Sequence, residues 1–324
     1  MTMRSVILAA ALGLASTTAA FAENFKFASF FAPTHPYAEG AFEPFAKAVE
    51  EKSGGDLSVT IYNGGELGPG PAEQYSRVLD GVAELAVSLP GYTASTFPLT
   101  LTAELPGVLD TETGTADIWN NIELFQPEYR RAILVSLWSS APNQLYTRDK
   151  AVRSPADIKG LKIRVPSRNT GLLVEAWGAT PVSMPVSEIY NAMQTGVIDG
   201  AMIDTTATRA FRLGEVATYL TIGMDTTNSP FFILANRDAF GSLSDDQQAA
   251  LLEAGKEASV KANEVQLSVA AGGVEAFAEM DGHEVIELSA EEAAAFNDLA
   301  APVVESVVAE TGGSAQAIVD ALSK

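Results

Sequence analysis

The stretch from Gly160 to Gly200 constrains this chain more than any other. Within it Leu161, Ile163 and Val165 alternate with Lys162 and Arg164, the period of a short β-strand, and Pro166 stops the pattern because it has no amide hydrogen to offer a sheet. The alternation sends Arg164 to the face opposite the apolar residues, near the strand end. In two-domain α/β proteins the ligand crevice lies outside the carboxyl ends of strands, where a planar fork of five N–H donors suits a carboxylate. Arg164 is therefore a candidate anion ligand, although the local pattern by itself favours a solvated or salt-bridged surface arginine, as most arginines are.

The remaining segments read as further α/β units. Asn24 to Phe30 alternates as a strand, and Thr34-His35-Pro36 opens a helix whose apolar residues Tyr37, Phe42, Phe45, Ala46 and Val49 recur at helical spacing. Leu57 to Tyr62 is a second strand, followed by a Gly-rich loop over Asn63–Pro71. That loop carries neither Gly-Lys-Ser/Thr nor the G-x-G-x-x-G register, so it reads as a turn and not a phosphate cradle. Glu84 to Leu89 is a third strand, ending at a loop that contains Tyr92. Ala132 to Trp138 is an almost wholly apolar run, typical of a central buried strand. From Ser244 a single helical stretch is far longer than ordinary domain helices, with Ser244 as its N-cap and Gly272-Gly273 as an expected break. Ser289 is expected to cap a final helical region.

The ends and the charge narrow the class. Arg4, an apolar run from Val6 to Ala15, and Ala20-Phe21-Ala22 form the pattern of a secretory signal cut after Ala22, and the run falls short of the roughly 20 residues that span a bilayer. No later stretch is apolar for long enough, so no membrane insertion of the mature chain is expected. There is no cysteine, hence no lipid anchor through cysteine and no disulfide. The formal charge of −21 argues against nucleic acid and leaves an anion site to depend on a local arginine. A mature chain of about 300 residues fits two α/β domains better than one core.

The run DIKGLKIRVP and the following GATPVSMPVSEIYNAMQTGVIDG resemble the solute-binding subunits of tripartite ATP-independent periplasmic (TRAP) transporters, the DctP-like family. The shared pattern is a Gly-Leu-Lys-Ile-Arg strand, a Gly-Ala-Thr-Pro-Val turn, a Met-Pro-x-Ser-Glu-x-Tyr helix start and a Gln-x-Gly-x-x-Asp-Gly turn. The resemblance implies an α/β, two-domain periplasmic binding protein fold: mixed sheets flanked by helices, a ligand cleft between lobes, and a long helix spanning both. It implies that Arg164 pairs with an organic-acid ligand. It also implies that the segment after Trp138 lines the cleft before crossing to the second domain, and that the strand from Ser229 crosses back and places Phe231 over the ligand. The expected division is a signal over 1–22, a first lobe of 23–147 plus 231–272, and a second of 148–230 plus 273–324. The sialic-acid branch has Glu-Asn at about Met202-Ile203 and a second arginine near Gln144; this chain departs at both places, which points away from sialic acid.

An enzyme needs a nucleophile or a base with a partner, and here there are only two histidines and no cysteine. His283 reads as a solvated turn residue, while His35 divides evenly between helix-start packing and ligand contact. The same inventory predicts no metal and no cofactor, with an all-oxygen calcium site left open. Three readings follow: a periplasmic binder of a small organic anion that serves TRAP membrane permease subunits, a secreted α/β enzyme acting on a carboxylated substrate, and a chemosensory ligand-binding subunit. The first is preferred, as a monomer. Its expected contacts are Arg164, Trp138, Phe31, Tyr92, Gln144, Asn143, Asn169, Asp204, Phe231 and His35. Met202 and Ile203 replace polar residues and aromatics are plentiful, so a monoacid with an aromatic or aliphatic body is expected.

Overall fold

The computed structural model describes residues 22–323. The expected signal therefore lies outside the described residues except for Ala22. The strands, numbered in chain order, are β1 (Glu23–Ala28), β2 (Leu57–Tyr62), β3 (Leu85–Ser88), β4 (Ala132–Trp138), β5 (Gln144–Thr147), β6 (Lys162–Val165), β7 (Thr180–Ser183), β8 (Gly200–Ile203), β9 (Tyr219–Ile222), β10 (Phe231–Asn236) and β11 (Glu284–Glu287). They form two mixed sheets, one in the order β2-β1-β3-β10-β4 and the other β11-β9-β5-β8-β6-β7. Both sheets are flanked by helices, giving the two-lobe α/β fold of periplasmic binding proteins.

The topology brings the carboxyl ends of parallel strands together. In the first sheet β1 runs parallel to β2 and β3, and β10 runs antiparallel to β3 and β4. The loops after β1 and β3 and the start of β10 thus share one edge. In the second sheet β6 lies between β7 and β8, parallel to both. Ile163 and Val165 enter a core with Leu173, Trp177 and Phe296, while Arg164 points to the other face. That face is covered too, so Arg164 is 1% exposed and the surface reading fails.

The chain crosses between sheets over residues 139–143 and again over 223–230. The expected lobe boundaries differ from this arrangement at two places. Gln144–Thr147 was expected in the first lobe but pairs with β8 and β9 of the second sheet, because the crossing is made by the short segment Ser139–Asn143. Residues after 273 were expected in the second lobe, yet Val307, Val308, Ala315, Ile318 and Leu322 pack with Phe97, Phe125 and Leu134 of the first. Their helical periodicity defines an apolar face but not which sheet receives it.

Helix Asp245–Ala278 is 34 residues long and starts from a capping box in which Ser244 and Gln247 satisfy each other's backbone amides. It runs unbroken through Gly272-Gly273, contrary to the expected break. Gly273 has a different role: a β-carbon there would collide with the carbonyl of Thr205, just after β8. Gly255 does the same against the carbonyl of Val135 in β4. Both glycines lie on one helix face, since the 18-residue interval between them makes about five turns. One glycine seats the helix on the first sheet and the other on the segment leaving the second.

Candidate ligand-binding site

Between the two sets of strand ends lies a partly open cavity whose space, counted to its mouth, is about 540 Å³. From the second lobe it receives Arg164 of β6, Ile203 at the end of β8 with Asp204 just after it, and Val186 at the start of a helix after β7. The first sheet contributes Phe30 and Phe31 after β1, Leu89 and Tyr92 after β3, and Phe231 at the start of β10. His35 and Tyr37 come from the helix entrance, and Val265, Gln266 and Val269 from the long helix.

Arg164 is fixed by the strands on either side. Its Nε donates to the Met184 carbonyl at 2.9 Å, just beyond β7, and one terminal nitrogen donates to the Met202 carbonyl of β8 at 3.2 Å. Two of the five donors are thus used to orient the plane, and Tyr92 and Asp204 line the same cavity as the guanidinium. Burial lowers the guanidinium's pKa from its ordinary value, an effect opposed by the Tyr92 hydroxyl and the Asp204 carboxylate. Among the described residues no ion pair involves Arg164. A buried cation without an ion-pair partner leaves charge that a bound anion could balance.

The opposite wall is aromatic. Phe31 lies with its ring centroid 4.1 Å from Phe30, 4.2 Å from His35 and 6.1 Å from Phe231. His35 accepts from the Tyr37 amide through Nδ1 at 3.2 Å, which leaves its proton on Nε2, and burial lowers its pKa to about 4. It is a neutral ring at physiological pH and adds no charge to the wall.

Of the ten expected contacts, the cavity brings together Arg164, Phe31, Tyr92, Asp204, Phe231 and His35. The other four sit elsewhere. Trp138 is behind the wall, stacked on Phe231 at 5.5 Å and donating its Nε1 to the Tyr37 hydroxyl at 3.0 Å. Asn143 ties the two crossings together through Thr227 and Ser229, at 3.0 and 3.3 Å. Gln144 begins β5 with its side-chain oxygen buried and unpartnered, outside the cavity lining. Asn169 reaches the Leu101 carbonyl at 3.0 Å and lines a separate cleft with Arg168 and Glu310. Tyr37 and Gln266 were not expected in the site. The usable signal for Gln266 was its place on a helix face of small and polar residues, Gly255, Ser259, Asn263 and Gly273, which no ordinary apolar stripe would carry. Among the described residues no cluster of His, Asp and Glu is placed to hold a metal ion, and no helix is long and apolar enough to cross a membrane.

Two α/β lobes that enclose a buried arginine and an aromatic wall between their strand ends define a solute-binding protein. The chain belongs to the DctP family, the bacterial extracellular solute-binding proteins of family 7, whose profile matches residues 27–311. A solute-binding protein of Albidiferax ferrireducens is 31% identical over 76% of this chain and 77% of its own length. A TRAP solute-binding protein of Rhodoferax ferrireducens, solved with copurified benzoate, superposes with a TM-score of 0.86 at 26% identity, covering 92% of this chain and 96% of its own. A marine metagenome TRAP solute-binding protein solved with 3-hydroxybenzoate gives a TM-score of 0.80 at 25% identity, covering 93% and 96%.

Proposed function

We propose that this chain is the periplasmic solute-binding subunit of a TRAP transporter, secreted through residues 1–22. It captures a small monocarboxylate with an aromatic or aliphatic body by closing its lobes, and delivers it to membrane permease subunits. The observation that carries this reading is the Arg164 guanidinium, buried in the cavity, oriented by two backbone carbonyls and without an ion-pair partner among the described residues. The ligand carboxylate completes it. The rings of Phe30, Phe31, Tyr92 and Phe231 then enclose the body. Benzoate in the Rhodoferax relative supports an aromatic acid here. Closure would bend the chain at residues 139–143 and 223–230 and flex the long helix that touches both lobes.

A thermal-shift panel of mono- and dicarboxylates, aromatic acids, keto acids, sulfonates and neutral sugars tests the reading. A ligand at 100 times Kd adds about 2.7 kcal/mol, which such a screen detects. The expected response is confined to organic anions. Stabilisation by neutral sugars alone, or turnover of an acid, would overturn it.

A further inference from the structure

Arg164 shares its cavity with a second buried ionisable group, Asp204, whose carboxyl is pushed above its ordinary pKa by burial while bonds from Thr206 oppose the shift. Asp204 follows β8, lines the same space and is 5% exposed. Its charge reaches the Arg164 guanidinium, yet the two groups form no ion pair. One carboxylate oxygen, Oδ1, accepts from the Thr206 amide at 3.0 Å and from the Thr206 hydroxyl. Gln266 approaches from the long helix. Its amide is oriented by a relay that begins in the first sheet: Trp138 donates to the Tyr37 hydroxyl, which donates to Oε1 of Gln266. With Oε1 occupied, the Gln266 NH₂ group is the end left to serve Asp204.

A simple monoacid seated on Arg164 would bring a second carboxylate into the cavity that Asp204 lines, a space walled in large part by Phe30, Phe31, Phe211 and Phe231, with His35, Tyr92, Ser229 and Gln266 among the polar residues. Two carboxylates sharing one guanidinium in a largely desolvated cavity repel, and one of them must take up a proton or a donor. A ligand with a hydroxyl or N–H group on its body removes the conflict, because its carboxylate faces Arg164 while its donor faces Asp204. We propose that Asp204 is a specificity-determining residue that selects, among monocarboxylates, those carrying a hydrogen-bond donor on the body. The ligand then spans from Arg164 to Asp204. This rests on the reading of Arg164 as the carboxylate partner.

The test is calorimetric titration of two matched pairs, 3-hydroxybenzoate with benzoate and mandelate with phenylacetate. The proteins are the unaltered chain, Asp204→Ala, Asp204→Asn and Arg164→Ala. The unaltered protein should prefer the hydroxylated member of at least one pair by ~10-fold or more, the worth of a hydrogen bond to a charged acceptor. Asp204→Ala should erase that preference by weakening the hydroxylated acid while leaving the plain acid equal or tighter. Asp204→Asn keeps an acceptor without the charge, so it should tighten the plain acid and retain part of the preference, which guards against a fold defect in the alanine variant. Equal binding within both pairs by the unaltered protein, or a preference that survives Asp204→Ala, would overturn the proposal. Binding of all four acids that ignores Arg164→Ala would overturn the Arg164 reading, and with it the span from Arg164 to Asp204. If a hydroxyl preference persisted there and vanished in Asp204→Ala, the selection by Asp204 would stand without it.

Discussion

The cavity's first-lobe side and its second-lobe side are held by different forces. On the first, Phe30, Phe31, Phe231 and neutral His35 meet through ring packing, which falls off gradually and tolerates small displacements. On the second, Arg164 and Asp204 are held by directional bonds to Met184, Met202 and Thr206, all in or next to the strands on either side of β6. The charged side can therefore fix where an anion sits, while the aromatic side can adapt to the body attached to it. On the proposed reading, ligand class is a property of the second lobe and ligand shape a property of the first.

The largest expected effect breaks the charged side. Arg164→Ala should weaken binding of a cognate acid by roughly 2–5 kcal/mol, since a desolvated charge pair is lost, and Arg164→Lys should also weaken it because an ammonium cannot reproduce the fork. Titration of both variants against benzoate checks this.

A smaller effect separates two adjacent glycines. Gly273→Ala should cost about 1–3 kcal/mol of stability, because its β-carbon would push the long helix off Thr205 beside Asp204. It should also weaken acid binding by moving the second lobe's anchor. Urea unfolding and a parallel titration measure the two losses.

The pH dependence of stability comes next. Burial raises Glu104 from 4.5 to about 8, and Ser167 of the second lobe donates to its carboxylate at 2.6 Å. The folded protein keeps a proton that the unfolded chain releases above 4.5, so this group lowers stability as pH rises from 4.5 to about 8. His35 works in the other direction: unfolded it binds a proton below 6.5, folded only near 4, so stability falls as pH falls through that window. The two slopes oppose each other between 4.5 and 6.5, and between 6.5 and about 8 the Glu104 slope stands without that opposition. Glu104→Gln should flatten the limb between 6.5 and about 8 and, with the His35 slope left unopposed, make stability rise more steeply with pH between 4.5 and 6.5, as urea unfolding across this range will show. The smallest effect is a gain: Gly272→Ala meets nothing within 4 Å and should stabilise the helix by about 0.5–1 kcal/mol.

Much of this was legible in the sequence, and the gaps have physical causes. Alternation and Pro166 located β6, the family pattern singled out Arg164, and Ser244 marked the start of the long helix. Burial of Arg164 was not legible, because it depends on β7 and β8, which reach β6 only after folding. Gly273 was taken for a helix break because the propensity of glycine is local, whereas its use here is contact with Thr205, 68 positions earlier in the chain. Trp138 and Asn169 were expected in the cavity for their chemistry and position. They instead serve the wall behind it and the junction between lobes, where the same hydrogen-bonding ability is used inwardly. The return of the C-terminal helices to the first lobe left no trace in their own pattern.

The most direct measurement is a titration of benzoate against benzamide, two ligands with one body and a charge that only the first carries. If the second lobe grips a carboxylate through Arg164, benzoate binds and benzamide does not, and Arg164→Ala abolishes the difference. Equal affinity for the two, or a difference untouched by Arg164→Ala, would contradict the account.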